Sequence, residues 1–177
     1  MNALENLYSR KSVRSFTGEG LSPEELRELL KAAYAAPVGR AQYGTLHLTV
    51  IRNPEFLSKW EGHVAAAMGN PAMHCFYGAP VVILVSSSVA PGPACNINYS
   101  NAAIISQNIA LAATALGIGA CHIWGAVMAL NGDEALLREL ALPEGMVPCC
   151  AMALGKTGEC YTLREIPENR IATDYMD

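Results

Sequence analysis

Between Tyr99 and Leu116 the chain spells a helix that is apolar nearly all the way round, with Asn101, Ser106, Gln107 and Asn108 among its few polar members; Gly117 ends it. A helix with a single apolar stripe can lie on a surface. One that is apolar on every side must be enclosed, either by its own domain or by a second copy of the chain. Pro80-Val81-Val82-Ile83-Leu84-Val85 sets a matching condition on a sheet, since a continuous β-branched and aliphatic run is the pattern of a central strand covered on both faces. Together they call for a sheet with packed layers of helices around it.

The remaining elements can be placed around these two. Ser22-Pro23-Glu24-Glu25 is a capping box with proline at the first helical position, and Leu26, Leu29, Leu30 and Ala33 recur at helical spacing until Pro37. Residues 45–51 alternate as a strand with one buried face. Residues 55–69 form a helix with Phe56, Leu57, Trp60, Val64 and Ala67 on one side, broken by Asn70-Pro71. Residues 118–124 read as strand, Asn131-Gly132-Asp133-Glu134 caps a helix with Leu136, Leu137 and Leu140 inward, and 147–154 is the last strand before a polar tail. No repeat, low-complexity stretch or linker divides the chain, so residues 1–177 are expected to form a single α/β or α+β domain of four strands and four or five helices.

Half of the residues are apolar (51%) and only 16% are charged, a composition rich for a soluble monomer. The excess, like the all-round apolar helix, points to a homodimer. A spanning helix is not expected, because Gly, Pro, Asn and Gln interrupt every apolar run before the ~20 residues that a bilayer requires. A net charge of −4 argues against nucleic acid as partner. The N-terminus lacks the basic region and apolar core of a signal peptide. The six cysteines show neither Cys-x-x-Cys nor zinc-finger spacing, so a reduced, cytoplasmic protein without disulfides or structural metal is expected. The four histidines show no ligand spacing either.

Arg10-Lys11-Ser12-Val13-Arg14-Ser15-Phe16 sets three cations and two hydroxyls side by side. Guanidinium forks, an ammonium and a hydroxyl suit a phosphate dianion, and the competing reading is a solvated basic turn. The order of the neighbouring motifs decides between them. An Arg-Arg-Ser-x-Arg-x-Phe type motif after an opening helix, a helix ending in Ala-Pro with a short polar loop (Ala36 to Gln42), and an Ala-Pro-Val-Val strand (Ala79 to Val82) follow one another. They are joined by the buried helix Gln107-Asn108-Ile109-Ala110-Leu111-Ala112-Ala113 leading to Leu116-Gly117-Ile118-Gly119-Ala120-Cys121, and by a Leu154-Gly155 strand end before the basic tail Arg164-Glu165-Ile166-Pro167. In this order the chain resembles the FMN-dependent nitroreductase family over nearly its whole length.

The resemblance implies an α+β sandwich, with a central mixed, mainly antiparallel sheet flanked by helices, in an intertwined homodimer with FMN at the subunit interface. It implies that Arg10, Lys11, Ser12 and Arg14 line the phosphate and the pyrimidine side of the flavin. Arg14 would stabilise the negative charge that reduction places on N1 and the C2 oxygen. Arg164 would reach the phosphate from the tail, unless it is simply a solvated charge. The loop Pro37-Val38-Gly39-Arg40-Ala41-Gln42 would come from the partner subunit, and Pro37, Val38, Gly39 and Gln42 would pass close to the flavin. That loop departs from the family pattern: the usual Asn-type amide is absent. Arg40 stands there as a replacement, as a cation for an anionic substrate, or as an exposed loop charge. Asn70 would reach the ring or merely end its helix. The backbone of Ile123, Trp124 and Gly125 would face the N5 edge, with Trp124 alternatively plain core and His122 a satisfied structural residue.

By the same resemblance the activity is hydride transfer from NADH or NADPH to FMN and onward, in ping-pong fashion, to a nitroaromatic, quinone or other electron-poor small molecule. No catalytic triad or carboxylate pair stands out, and flavin chemistry requires none. Other readings keep the fold and change the chemistry to dehalogenation, enone reduction or flavin fragmentation, or reduce the protein to a flavin-binding module without efficient turnover. The short intervals from Gly44 to Pro80 and from Trp124 to Val147 leave little room for a lid, so an open flavin face is expected.

Overall fold

The structure, a computed structural model, describes residues 2–92 and 95–176. The elements run α1 (Ala3–Ser9), α2 (Pro23–Tyr34), β1 (Leu46–Ile51), α3 (Pro54–Ala67), β2 (Val81–Ser88), α4 (Cys95–Ala115), β3 (Gly119–His122), α5 (Trp124–Asn131), α6 (Glu134–Leu140) and β4 (Met146–Gly155). Two single 3-10 turns occupy 39–41 and 43–45. The capping box at Ser22 forms as expected: its hydroxyl accepts from Glu25 N–H, and the Glu25 side chain accepts from Ser22 N–H. Asn53 and Asp133 cap α3 and α6 without a reciprocal partner, each side-chain oxygen accepting from two backbone N–H groups of the first turn.

The strands lie in the order β1-β2-β4-β3, and each of the three pairings is antiparallel. The expected sheet was mixed and mainly antiparallel; within the described chain it is antiparallel at every pairing. The strand expected over 118–124 is shorter. β3 ends at His122, and Trp124 begins a helix, α5, that periodicity did not indicate. The run Cys121-His122-Ile123-Trp124 is apolar and aromatic enough to pass for strand, while α5 itself (Trp-Gly-Ala-Val-Met-Ala-Leu-Asn) has no polar face to mark its turn. The buried helix α4 also starts earlier than expected, at Cys95 instead of Tyr99.

β2 shows why its sequence is continuously apolar. Val82 and Leu84 enter a core built with α3, α5 and α6, while Val81, Ile83 and Val85 enter a second core built with α2 and α4. The sheet is therefore the middle of three layers, and each apolar residue of β2 is spent on one of two faces. Trp60 of α3 anchors the first core. It is fully buried, its Nε1–H donates to Ala126 O of α5 at 2.8 Å, and its ring meets Phe76 edge-on at 4.9 Å.

In the second core α4 carries buried polar side chains, and these are satisfied locally. Asn98 donates to Ser87 Oγ and Ser88 O and accepts from Ala90 N–H, and Thr114 donates to Ala110 O. Not all of the apolar surface is enclosed by this chain: Ile97, Tyr99, Ile104 and Leu116 of α4 stay exposed, as do Leu4 and Leu7 of α1. No helix among the described residues is long and apolar enough to cross a membrane.

Candidate functional site

The segment that follows α1 is tied to the sheet at Val13, which is fully buried and donates its N–H to Ala120 O of β3 at 2.9 Å. Phe16, which closes the basic motif, lies over two glycines that face each other, Gly119 of β3 and Gly155 of β4. A Cβ on Gly155 would stand 2.6 Å from the Pro80 ring and 3.2 Å from the Phe16 ring, so no other residue leaves room for the aromatic lock.

The chain's far end completes the site. After β4 the tail runs back along the motif, residue by residue. Thr17 N–H donates to Lys156 O at 3.0 Å, Thr157 Oγ1 to Ser15 O at 2.8 Å, and Arg14 N–H to Glu159 Oε1 at 3.3 Å. Tyr161 donates its hydroxyl to Ile118 O at 2.7 Å, and Arg164 Nε donates to Tyr8 O at 2.9 Å. The same Glu159 takes Lys11 Nζ at 2.7 Å, and Lys156 pairs with Glu25.

The tail thereby brings the Arg164 charge within electrostatic reach of Arg10. Arg10 is half-buried, and its pKa is lowered first by that burial and then by the neighbouring Arg164. Among the described residues neither Arg10, Arg14 nor Arg164 has a carboxylate within ion-pair distance. Burial raises the pKa of the Cys121 thiol, and the Arg14 charge, the Ser12 hydroxyl and Arg10 act against that rise. A half-buried pair of like charges opposes folding unless an anion joins it. The donor set of two guanidinium forks with a hydroxyl nearby is that of a phosphate site.

On the same side His122 has both ring nitrogens engaged: Nε2 with Gln107 Oε1 at 3.3 Å and Nδ1 with Ser106 Oγ at 3.1 Å. The Gln107 oxygen only accepts, so Nε2 carries the proton and Nδ1 accepts from the Ser106 hydroxyl. Surrounding protein, then Arg10, lower the His122 pKa. Ile123 is buried, with its N–H on Ala151 O, whereas Trp124 is 62% exposed and is not a core residue. Gly125 follows within α5. His122, Ile123 and Trp124 line a cavity of about 140 Å³ with Ala103, Cys150 and Ala151.

The other candidates lie apart from the arginines. Val38 packs on the second core, Gly39 N–H donates to Asn101 Oδ1 at 3.0 Å, and Gln42 O accepts from Thr45. Pro37 and Arg40 are exposed, and Arg40 and Ala41 both hold positive φ (56° and 53°), a strained conformation for side chains of their kind. Among the described residues no hydrogen bond or ion pair joins this loop to residues 10–14. Asn70 folds back on its own turn, accepting from Ala72 N–H and Met73 N–H. Glu159, Tyr161 and the Ser106–His122–Gln107 chain were not singled out from the sequence as parts of a site. Glu159 in particular carries no local signal, since its partners are almost the whole chain away.

A sequence model of the nitroreductase family matches residues 7–156. The chain belongs to the nitroreductase family. A protein of Methanothermobacter thermautotrophicus, provisionally named an NADH dehydrogenase/NAD(P)H nitroreductase, is 31% identical over 168 residues, covering 94% of this chain and 83% of its own. Among solved structures, a nitroreductase with bound FMN from Desulfitobacterium hafniense superposes with a TM-score of 0.84 at 26% identity, over 99% of this chain and 100% of that one. A second FMN-bound nitroreductase, from Bacteroides fragilis, gives 0.82 at 26% identity over the same shares.

The family match stops at Lys156, where the tail of this nitroreductase-family chain starts its return along the motif. That return has a pH dependence with a definite sign. The Lys11 contact, and then the Arg14 N–H, lower the Glu159 pKa below the usual carboxylate value. A depressed folded-state pKa contributes stability that is present above the ordinary Glu range and lost as pH falls through the lower, folded value. Acidification below about pH 4 is therefore expected to loosen the tail around residue 159, while its contacts to Ser15, Thr17, Ile118 and Tyr8, which do not titrate there, persist. Glu159→Gln should flatten that acid limb in a pH series of limited proteolysis at the C-terminal segment.

Proposed function

We propose that this protein binds FMN at the Arg10–Arg14–Arg164 cluster and acts as an NAD(P)H-dependent oxidoreductase on a nitroaromatic, quinone or similar electron-poor acceptor. The observation that carries the reading is the pair of half-buried guanidiniums without a carboxylate, in a chain whose full-length structural relatives hold FMN. When bound, FMN supplies hydride acceptance from the nicotinamide and onward transfer to the acceptor.

The protein's part is binding and electrostatics. Arg10 and Arg164 take the phosphate, with the Ser12 hydroxyl beside them; Lys11 is the lesser contributor, because Glu159 already neutralises it. Arg14 faces the pyrimidine side and stabilises negative charge there. The Ile123–Gly125 backbone borders the ring, and the exposed Trp124 offers an aromatic wall. The intervals before β2 and before β4 are occupied by α3 and by α5 with α6, which pack on the sheet. Donor and acceptor then reach one open face in turn, which gives ping-pong kinetics.

The partner in this reading is a second copy of the chain. Exposed apolar side chains on α4 (Ile97, Tyr99, Ile104 and Leu116) and α1 (Leu4 and Leu7) supply apolar surface for it, and Ile171, Tyr175 and Met176 of the tail stand largely in solvent. Such a surface suits an intertwined homodimer in which residues 37–42 approach the flavin of the other subunit.

Purified protein should be yellow, or turn yellow with FMN, and lose its visible absorption anaerobically on addition of NADH or NADPH. A protein that stays colourless in excess FMN overturns the reading. A yellow one that neither nicotinamide bleaches restricts it to flavin binding.

A further inference from the structure

Tyr77 is a bulky residue in a backbone conformation that disfavours it. Its φ is 56°, in the left-handed region, and Gly78 beside it is at 79°. The turn is fixed from several directions. Phe76 N–H donates to Glu61 Oε1 at 3.0 Å, Tyr77 N–H to His74 O at 3.1 Å, and Ala79 N–H to Phe76 O at 3.0 Å. Phe76 itself is buried against Trp60. The residue that follows it is sent the other way: Tyr77 belongs to neither core and stays partly exposed.

What the ring meets instead is Arg14, whose guanidinium carbon lies 6.0 Å from the ring centroid, within cation–π range. No carboxylate among the described residues pairs with that guanidinium, so the aromatic face and the Glu159 contact to the Arg14 backbone are what orient the residue. Strain kept at an exposed position, with a cation over the ring it presents, marks a functional constraint more readily than a packing one.

We propose that Tyr77 is a positioning residue whose ring, held out by the strained 74–79 turn, fixes the Arg14 guanidinium toward the flavin. The inference rests on the reading that Arg14 faces bound FMN, and it adds the part that aims it. Removing the ring frees the cation to swing into solvent, so the site holds FMN less tightly and disfavours the negative charge that reduction brings.

The experiment measures the FMN dissociation constant and the midpoint potential of the bound flavin in the holoprotein. Tyr77→Leu should raise the dissociation constant about two- to fivefold, the exposed cation–π range, and move the potential to more negative values. Tyr77→Phe, which keeps the ring, should retain both. Tyr77→Gly, which relieves the backbone, should match Tyr77→Leu in both readouts while the flavin-free protein melts no lower than the parent. The pair Tyr77→Leu with Arg14→Ala should equal Arg14→Ala alone.

A Tyr77→Leu protein indistinguishable from the parent, while Arg14→Ala shifts both quantities, overturns the role of Tyr77 and leaves the function standing. Effects of the two substitutions that simply add also overturn it. An Arg14→Ala protein with unchanged affinity and potential instead removes the placement of Arg14, and this inference with it.

Discussion

Replacing Arg10 and Arg164 together by alanine is expected to strip the protein of FMN without unfolding it. With the phosphate held as proposed, each guanidinium would contribute a charge-assisted contact worth about 1.5–3 kcal/mol. Losing both should raise the dissociation constant by roughly two to four orders of magnitude. The flavin-free protein should tolerate the change, because the two side chains repel one another there and Arg10 is partly desolvated. The contact from Arg164 to Tyr8 O is lost as well, and relief of the repulsion offsets it. Fluorescence titration with FMN, alongside thermal melts of the flavin-free variants, separates the two effects. Lys11→Ala should weaken binding far less, since its ammonium is already paired. A double variant that binds FMN as tightly as the parent would place the phosphate elsewhere.

Trp60→Ala should give the largest loss of stability. The side chain is fully enclosed, holds α3 to α5 through Ala126 O, and supports Phe56 and Phe76. Aromatic-to-alanine changes at such sites cost about 3–5 kcal/mol, a large part of the 5–15 kcal/mol typical of a domain. Trp60→Phe keeps most of the packing and forfeits mainly the hydrogen bond, about 1 kcal/mol. Urea denaturation should show both as falls in midpoint with little change in slope. Equal midpoints for the two variants would mean that the hydrogen bond, and not the packing, is what Trp60 contributes.

The elements that periodicity and capping placed well are those with one strong local signal: the Ser22 box, the β-branched run of β2 and the leucines after Asp133. α5 was lost because a helix apolar on all sides, entered through His122-Ile123-Trp124, looks locally like the end of a strand. Its helical form depends on the core it meets, on Trp60 and on the sheet, and not on its own pattern. The basic motif was visible for the same reason that β2 was, since its residues are contiguous. What turns that motif into a site was legible only in part: the resemblance brought Arg164 from the tail toward the phosphate, whereas the Glu159 contact to Lys11 and the approach of Tyr77 to Arg14 join single residues remote in sequence. Single residues without a period leave no trace for reading along a chain.

The tail's course along the basic motif also bears on the order in which the molecule is made. The contact between Arg164 and Tyr8 spans 156 residues, nearly from one end of the chain to the other. During synthesis the N-terminal half of the anion site emerges first and has to wait for the C-terminal half. Closing so long a loop is among the last steps of assembly, after the layers on both faces of the sheet have given it somewhere to dock. A cofactor held between those two ends binds the finished chain and not its fragments or its unfolded form. Its supply would then raise the yield of complete, folded protein by mass action.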